Sequence, residues 1–486
     1  GIWDMKTHTL ETTCTSFGEI KFEGFENETA NRPYIRVDPK TNLESLWTVM
    51  TKHWKLPSPR LLISITGGAK RFNPNPEHQQ IFKRVLMNAA TTTDAWIITG
   101  GMATGVMKIV GEAVRDHILT KGTSDKNIVA LGIATWGCVA NRKNLDGSDR
   151  GLWPATYISA DLGNRKESGS GPEVPLDHNH THFILVDDGS IKKYGVEIEL
   201  GAKLEKFITK QINTGVAETQ SVDLPMVKIV VEGGVNTMKT VSESVAADIP
   251  VLVLQGSGRA ADFIAYGYKL LEKKDIKEKD FHAKLKKKAE NIFEWEEKDK
   301  KEQIEDCVKQ LKYVLVKKRL ITVFNLNEAD RKDIDTAILD ALLKAKKSNS
   351  EAQLALALAW NRSDIAREKI ITHDKRKQWK KKEDFLHHAM FIALVQNKVD
   401  FVKLFLERGV SFSKFLSIQT LWNLYACSLL NRSDRCAQPL RQLIMYIKQS
   451  WRAYLCCRQP DNFRPKRDLL KSVGKIIVHL LRDESM

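Results

Sequence analysis

Four glycine-rich turns hold the residues whose types and spacing could do chemistry. They are Gly67-Gly68, Gly100-Gly101 with Gly105, Gly233-Gly234, and Gly256 with Gly258. Each follows an apolar run and lies close to Thr or Ser. Glycine lets a backbone approach a phosphate closely, and a following helix offers free N–H groups and the positive end of its dipole. Four such turns point to a cleft for an anion or nucleotide; the alternative is that each only turns the chain tightly. The Gly-x-Gly-x-x-Gly dinucleotide pattern is not in its usual place, and no Gly-Lys-Ser/Thr phosphate loop occurs.

Arg259 directly follows Gly258 and opens a helical segment, where a guanidinium can fork two phosphate oxygens. Tyr194, in "KKYGVEIEL", precedes another helix and could stack on a base; an amphipathic core role is the alternative. "DHNHTH" (177–182) puts His178, His180 and His182 on one side of an extended chain. It reads as a loop running into a strand, with metal binding as the lesser alternative. No Ser-His-Asp arrangement is visible, so no catalytic residue and no metal site are assigned.

The elements that must position these turns repeat one pattern. Apolar, β-branched runs at 61–70, 95–105, 127–137, 181–189, 226–237 and 249–262 each meet glycine or a turn, and helical periods follow several of them. Val106, Ile109, Val110 and Ala113 make one helix face, Leu200, Leu204, Phe207 and Ile208 a second, and Phe263, Ile264 and Leu271 a third. Nearly unbroken apolar strands alternating with helices imply a doubly wound, mostly parallel α/β sheet. Thr41-x-x-Glu44 predicts a capping box for a helix carrying Leu43, Trp47, Met50 and Trp54. Residues 139–180, rich in Gly, Asp, Asn and Pro, read as a long surface loop.

Near residue 275 the pattern changes to helical period throughout. The spacing predicts an α/β domain over 1–270, a charged helical linker over 271–305, and an all-α region over 306–486. Within the last, "LALAWNRSDIAREKI" (356–370) and "IALVQNKVDFVKLFL" (392–406) align at a spacing of 36, with Asn361 matching Asn397 and Asp364 matching Asp400. That spacing and the Asn-x-x-Asp turn resemble ankyrin-type helical pairs.

The chain carries a formal charge of +16, concentrated in lysine-dense stretches at 272–290 and 372–384. Acids are mixed into both, so they read as solvated helix faces and linkers and not as a nucleic-acid surface. Seven scattered cysteines without Cys-x-x-Cys suit a reducing compartment. Neither a signal peptide nor an apolar run of about 18 residues is found.

"LLISITGGAKRF", "AWIITGGMATGVMKIVGEAVRD", "HNHTHFILVDDG", "YGVEIEL", "EGG" and "GSGRAADFIA" resemble the first two cytosolic homology regions of the melastatin-type (TRPM) transient receptor potential cation channels. "KKRLITVFNLNEADRKDIDTAILDALLKA" and "VDFVKLFLERGVSFSKFL" resemble the third. The resemblance spans roughly 16–430. It implies a Rossmann-like fold of the SLOG type followed by helical repeats, on the cytosolic face of a membrane. It also implies assembly with other subunits of a homotetrameric, calcium-permeable channel, whose pore segments this chain does not contain. No cofactor is required; in ADP-ribose-gated members this cleft takes the nucleotide. Carried over by motif, Thr66, Gly67, Tyr194 and Arg259 would contact it, and Gly68, Gly100, Gly101, Gly233, Gly234 and Gly258 would shape the cleft. One departure stands out: after Tyr-Gly-Val-Glu the family commonly has Leu-Arg, and here the pair is Leu200-Gly201.

The SLOG relation also raises a rival, a LOG-type phosphoribohydrolase, whose Pro-Gly-Gly-x-Gly-Thr-x-x-Glu motif ends in a catalytic glutamate. Here the run is "EGGVNTMKT": Glu232 replaces the proline, Asn236 a glycine and Thr240 the glutamate. Threonine cannot supply the carboxylate that glycosidic cleavage needs. Glu243 lies three residues on, which leaves a shifted carboxylate as an alternative. A third reading is pure inter-subunit scaffold with an empty cleft.

Overall fold

The computed structural model describes residues 14–424, apart from 24–30, 69–75, 122–127, 146–153, 159–172, 212–223, 273–276, 294, 296–299, 327–333, 347–348, 373–374, 376–377, 380, 418–419 and 421–422. Cys456 and Cys457, and the expected helical region after 424, lie outside the described residues.

A sheet of ten strands dominates. In chain order these are β1 (Cys14–Glu23), β2 (Arg32–Val37), β3 (Leu62–Gly67), β4 (Trp96–Thr99), β5 (Val129–Thr135), β6 (Ala155–Ile158), β7 (His182–Val186), β8 (Met226–Val231), β9 (Val251–Gln255) and β10 (Ile321–Asn325). Their spatial order is β10-β9-β8-β3-β4-β5-β7-β2-β1-β6. Every pairing is parallel except β1 with β2. The unbroken apolar runs have the expected cause, because both faces are covered. Along β7, Phe183 and Leu185 enter one core while Ile184 and Val186 enter another.

The covering helices are α1 (Leu43–Thr48), α2 (Pro76–Thr92), α3 (Gly105–Lys121), α4 (Glu197–Gln211), α5 (Val235–Ala246), α6 (Arg259–Glu272), α7 (Glu278–Ile292), α8 (Lys300–Val316), α9 (Ile334–Ala345) and α10 (Ser350–Ala359). On one face α1, the turn Val49–His53 after it and α4 bring Leu46, Met50, Leu200, Leu204 and Ile208 onto β5 and β7. Lys83 of α2 reaches Glu112 of α3 at 2.5 Å and ties those two helices together.

Three expectations are corrected. The cap of α1 is Asn42, whose side chain accepts from the Glu44 and Ser45 N–H groups; Thr41 is buried instead. The stretch 139–180 is not only loop. It contains β6, which pairs with β1, and the buried Leu145, Tyr157 and Leu176. The third concerns the boundary after 270. The lysine-rich segment is a packed helix pair and not a linker: Leu285, Ala289, Ile304, Val308 and Leu311 join the core of α5 and α6. Beyond it β10 extends the sheet beside β9, so the region from 306 is not all-helical. Lysines are as many as the apolar positions on α7, but a narrow apolar stripe suffices to dock a helix.

The chain divides into two compact units, Gly1–Ala389 and Met390–Met486. In the first, α10 ends at Asn361 with φ 53°, its N–H bonded to the Leu358 carbonyl and that of Arg362 to Ala357. A short helix, Ser363–Ile365, follows. In the second, helix α11 (Glu383–Val395, which begins before the division) ends at Asn397 with φ 55°. There the Asn397 N–H bonds Leu394 and that of Lys398 bonds Ala393, before α12 (Val399–Glu407). The two turns repeat the same bonds 36 residues apart, as a left-handed helix stop permits.

Candidate functional site

From β3 the chain winds outward through β4, β5 and β7, then returns to place β8 and β9 on the other side of β3. Such a reversal opens a crevice beyond the carboxyl ends of the two strands that flank it, here β3 and β8. Thr66, Gly67 and Gly68 end β3, Gly233-Gly234 follows β8, and Gly258-Arg259 follows β9. The fold therefore brings these residues together. The site can be built by asking which N–H groups there remain free.

The β3 turn is closed. The Gly68 N–H donates to the Val231 carbonyl at 3.0 Å, and the Gly68 carbonyl accepts from Val106 N–H at 2.9 Å, capping α3. The α6 end is closed too: Ala260 and Ala261 donate to the carbonyls of Gly233 (3.1 Å) and Glu232 (2.9 Å). Asp262 holds the Gly256 N–H at 2.6 Å. The β4 turn is packed, since a Cβ on Gly101 would lie 2.7 Å from Gly132 Cα, and the Gly101 N–H donates to Thr99 Oγ1. The start of α5 differs. Gly234 caps it without a side-chain bond, and the N–H groups of Val235 and Asn236 have no acceptor among the described residues. Of the four glycine turns, the one at Gly233-Gly234 offers a free helix N-terminus.

Arg259 stands over that turn. Its Nη2 lies 3.5 Å from where a Gly234 Cβ would be, and its side chain makes no hydrogen bond or ion pair among the described residues. On the other side of the turn, Glu232 is 8% exposed and its Oε2 has no hydrogen-bond partner. Burial holds its carboxyl above the usual range, opposed by the Arg259 charge and the Gly233 N–H. Glu232 and Arg259 both have positive φ, 56° and 37°. Proline is locked near −65°, so the proline of the hydrolase motif could not occupy the backbone at 232.

Tyr194 sits elsewhere along the cleft rim. It follows β7, with β4 and β5 between β7 and β3, and packs partly against the core containing Trp136 and Cys138. Burial pushes its phenol up to about 12, so the hydroxyl stays protonated at neutral pH. Nearby, Glu197 accepts from Thr135 Oγ1 and from the Gly195 N–H, fixing the start of α4. Gly201, on α4, is buried; a Cβ there would meet only Ile133 Cδ1, at 3.9 Å.

The three histidines do not converge. His180 is fully buried, with Nδ1 2.7 Å from Asp177 and Nε2 2.7 Å from Thr99 Oγ1. The same Thr99 oxygen holds Gly101, so this chain of bonds fastens the β4 turn. Gly111 of α3 allows Asp177 to approach, since a Cβ there would lie 1.8 Å from Asp177 Oδ2. His182 packs against Trp54 and His178 against Phe22. Among the described residues no group of three His, Cys, Asp or Glu could hold a metal. An acid-histidine-hydroxyl chain thus exists that sequence spacing did not reveal, because Thr99 lies 81 residues from His180.

The rival carboxylate is misplaced. Thr240 turns its hydroxyl back onto the Asn236 carbonyl. Glu243 lies eight residues into α5, about 12 Å from the open N-terminus at about 1.5 Å per residue. Its charged neighbours are Lys239, Glu199 and Lys228, and burial raises its proton affinity. Lys228 is held by Glu205 at 2.7 Å, and Glu205 also accepts from Ser64; all three side chains are buried.

A sheet wound both ways from one strand, with a free helix N-terminus and an unpaired arginine at the reversal, defines a cleft-bearing α/β module with a helical extension. A family model described as SLOG in TRPM matches residues 32–310, and one described as TRPM2-like domain matches 369–443. Over 432 residues the chain is 41% identical to transient receptor potential cation channel subfamily M member 2 of Rattus norvegicus, covering 87% of this chain and 27% of that protein. It is 39% identical over 431 residues to the subfamily M member-like 2 protein of Nematostella vectensis, with coverage of 87% and 27%. To subfamily M member 7 of Rattus norvegicus it is 37% identical over 430 residues, with coverage of 87% and 22%. The chain belongs to the TRPM family of cation channels and represents its SLOG-bearing N-terminal region. It spans about a quarter of the length of these relatives. No helix among the described residues is long and apolar enough to cross a membrane.

Proposed function

We propose that this chain is the ligand-sensing and assembly region of a calcium-permeable TRPM-type channel, working on the cytosolic face of a membrane beside other subunits of a homotetramer. In this reading the crevice between β3 and β8 binds ADP-ribose or a related nucleotide and does not hydrolyse it. The observation that carries the reading is Arg259: a half-buried guanidinium without a partner among the described residues, over a glycine turn whose following helix has free N–H groups there. A diphosphate would meet the Val235 and Asn236 N–H groups from one side and the arginine fork from the other. The remaining glycines serve this geometry indirectly, by letting β3, β4 and β8 approach closely enough to form the crevice. Tyr194, on the same carboxyl side of the sheet, is the group for a base or ribose.

The test is calorimetric titration of the chain with ADP-ribose. A charge-assisted hydrogen bond is worth roughly 1.5–3 kcal/mol. Arg259→Ala should therefore weaken binding by roughly ten- to a hundredfold. A far-UV circular dichroism spectrum would check that the variant is folded. Equal binding by wild type and folded Arg259→Ala would refute the phosphate role.

A further inference from the structure

Glu232 is an unexpected neighbour for a phosphate. It is 92% buried, since 8% of its surface is exposed, and it carries a carboxylate oxygen with no partner. Its backbone is fully engaged: the N–H donates to Ser257 Oγ at 2.7 Å and the carbonyl accepts from Ala261. The residue is thus pinned in the left-handed region, where a non-glycine side chain is strained. Pinning also confines the carboxyl, because its Cγ lies 3.3 Å from where a Gly258 Cβ would be. A side chain at 258 would crowd it, and glycine leaves the room.

Among the described residues the surroundings contain one compensating charge. Arg259 of α6 is the charged group that faces Glu232. The other nearby groups are spoken for or neutral. Asp262 of α6 is bound to Gly256 N–H, and Lys239 of α5 faces Glu243. Ser257, in the β9–α6 turn, donates to the Leu254 carbonyl, and the described residues at the β3 end are Thr66 and glycines. An anionic ligand beside Arg259 would therefore sit close to a second, buried negative charge with no further cation among the described residues to balance it.

We infer that Glu232 is the proton-binding member of this anion site: its carboxyl and a ligand phosphate compete for Arg259, so a diphosphate binds with uptake of one proton onto Glu232. The inference rests on the cleft reading above. Its physical basis is that a like charge placed beside a buried carboxylate favours the neutral acid. Once protonated, the same group becomes a hydrogen-bond donor toward a phosphate oxygen. Burial already holds this carboxyl above the usual range, the same direction in which a neighbouring phosphate would push it. Binding should then weaken by up to about tenfold for each unit that pH rises, the limit for one proton taken up.

ADP-ribose is the suitable probe, because its diphosphate linkage stays fully ionised from pH 6 to 8 and contributes no slope. The full chain would be titrated at pH 6, 7 and 8, and at pH 7 in PIPES and in Tris, whose ionisation heats differ. The expected results are proton uptake, tighter binding at low pH, and a Glu232→Gln variant whose affinity changes less than about twofold over the range. That variant should bind at pH 8 at least as well as wild type binds at pH 6. Binding by wild type with no proton uptake overturns the inference and leaves the cleft reading standing. A slope that persists in folded Glu232→Gln also overturns it. Absence of binding at every pH overturns the cleft reading and this inference with it. If Glu232→Gln fails to fold, the two-buffer measurement on wild type decides alone.

Discussion

Gly67 and Val231 meet backbone to backbone at the ends of β3 and β8: a Cβ on Gly67 would lie 1.9 Å from the Val231 carbonyl oxygen. That carbonyl also accepts from Gly68 N–H, so it cannot move away without cost. Gly67 is needed for strand packing, whatever the crevice binds. Gly67→Val should therefore lower stability by several kcal/mol, about what overpacking a well-filled core costs or more. Chemical denaturation would show this as a lowered midpoint or a failure to fold. A Gly67→Val chain with a wild-type midpoint would mean that the two strands are further apart than described here.

The division of the chain gives a second prediction. A fragment ending at 270 lacks α7, α8 and β10, which between them cover Val241, Val245, Phe263 and Ile264 and complete the sheet beyond β9. Exposing that surface should make 1–270 aggregate or melt without a cooperative transition, whereas 1–389 should melt cooperatively. Within the longer fragment, Leu285→Ala should cost about 2–5 kcal/mol, because the side chain is fully buried among α6 and α8 residues. Soluble yield and differential scanning calorimetry are the readouts. A cooperative 1–270 would restore the boundary that the lysine-rich composition suggests.

Much of the sheet was legible because strands buried on both faces read as continuous Val, Ile and Leu. That signal located β3, β4, β5, β7, β8 and β9. It failed for β6, where "ATYI" alternates between buried and exposed positions beside glycine-rich sequence. It also failed for β10, where "ITVFN" follows two lysine-rich helices and has no glycine turn of its own. For the site, "GSGR" pointed to Arg259 directly. Which glycine turn stays open was not legible, because closure depends on acceptors contributed from other strands. The Glu232 and Gly233 carbonyls close the end of α6, 29 and 27 residues further along the chain. Local composition carries no trace of such pairings.

The repeated Asn stops yield a third prediction. Asn361 and Asn397 share the same left-handed backbone and the same pair of closing bonds. Left-handed residues with a side chain cost roughly 1–2 kcal/mol, and asparagine and glycine bear that conformation best. Asn361→Gly and Asn397→Gly should be neutral or slightly stabilising, and the corresponding valine variants should destabilise by at least about 1 kcal/mol. Denaturation midpoints of the four variants would be compared. If valine were tolerated at one site and not at the other, the two turns would not be equivalent.

The last prediction concerns acid sensitivity. Burial, helped by the nearby Arg32, lowers the His182 imidazole to about 4, and the ring packs on Trp54 at 5.1 Å. In the unfolded chain the same group titrates near 6.5. As pH falls below 6.5 the unfolded state takes up this proton and the folded state does not, so the unfolded state gains. The contribution of neutral His182 is thus fully present above about pH 6.5 and is lost progressively as pH falls toward about 4. Phenylalanine keeps the ring contact with Trp54 and cannot take up a proton. Between pH 6.5 and 5.5 wild type should lose up to about 1.4 kcal/mol more than His182→Phe, the value of one pKa unit. Other carboxylates titrate in both proteins and cancel in the comparison. Urea midpoints at pH 7.5, 6.5 and 5.5 would measure it. Parallel pH curves for the two proteins would show that His182 titrates alike in the folded and unfolded chain, and that its packing against Trp54 does not exclude the charge.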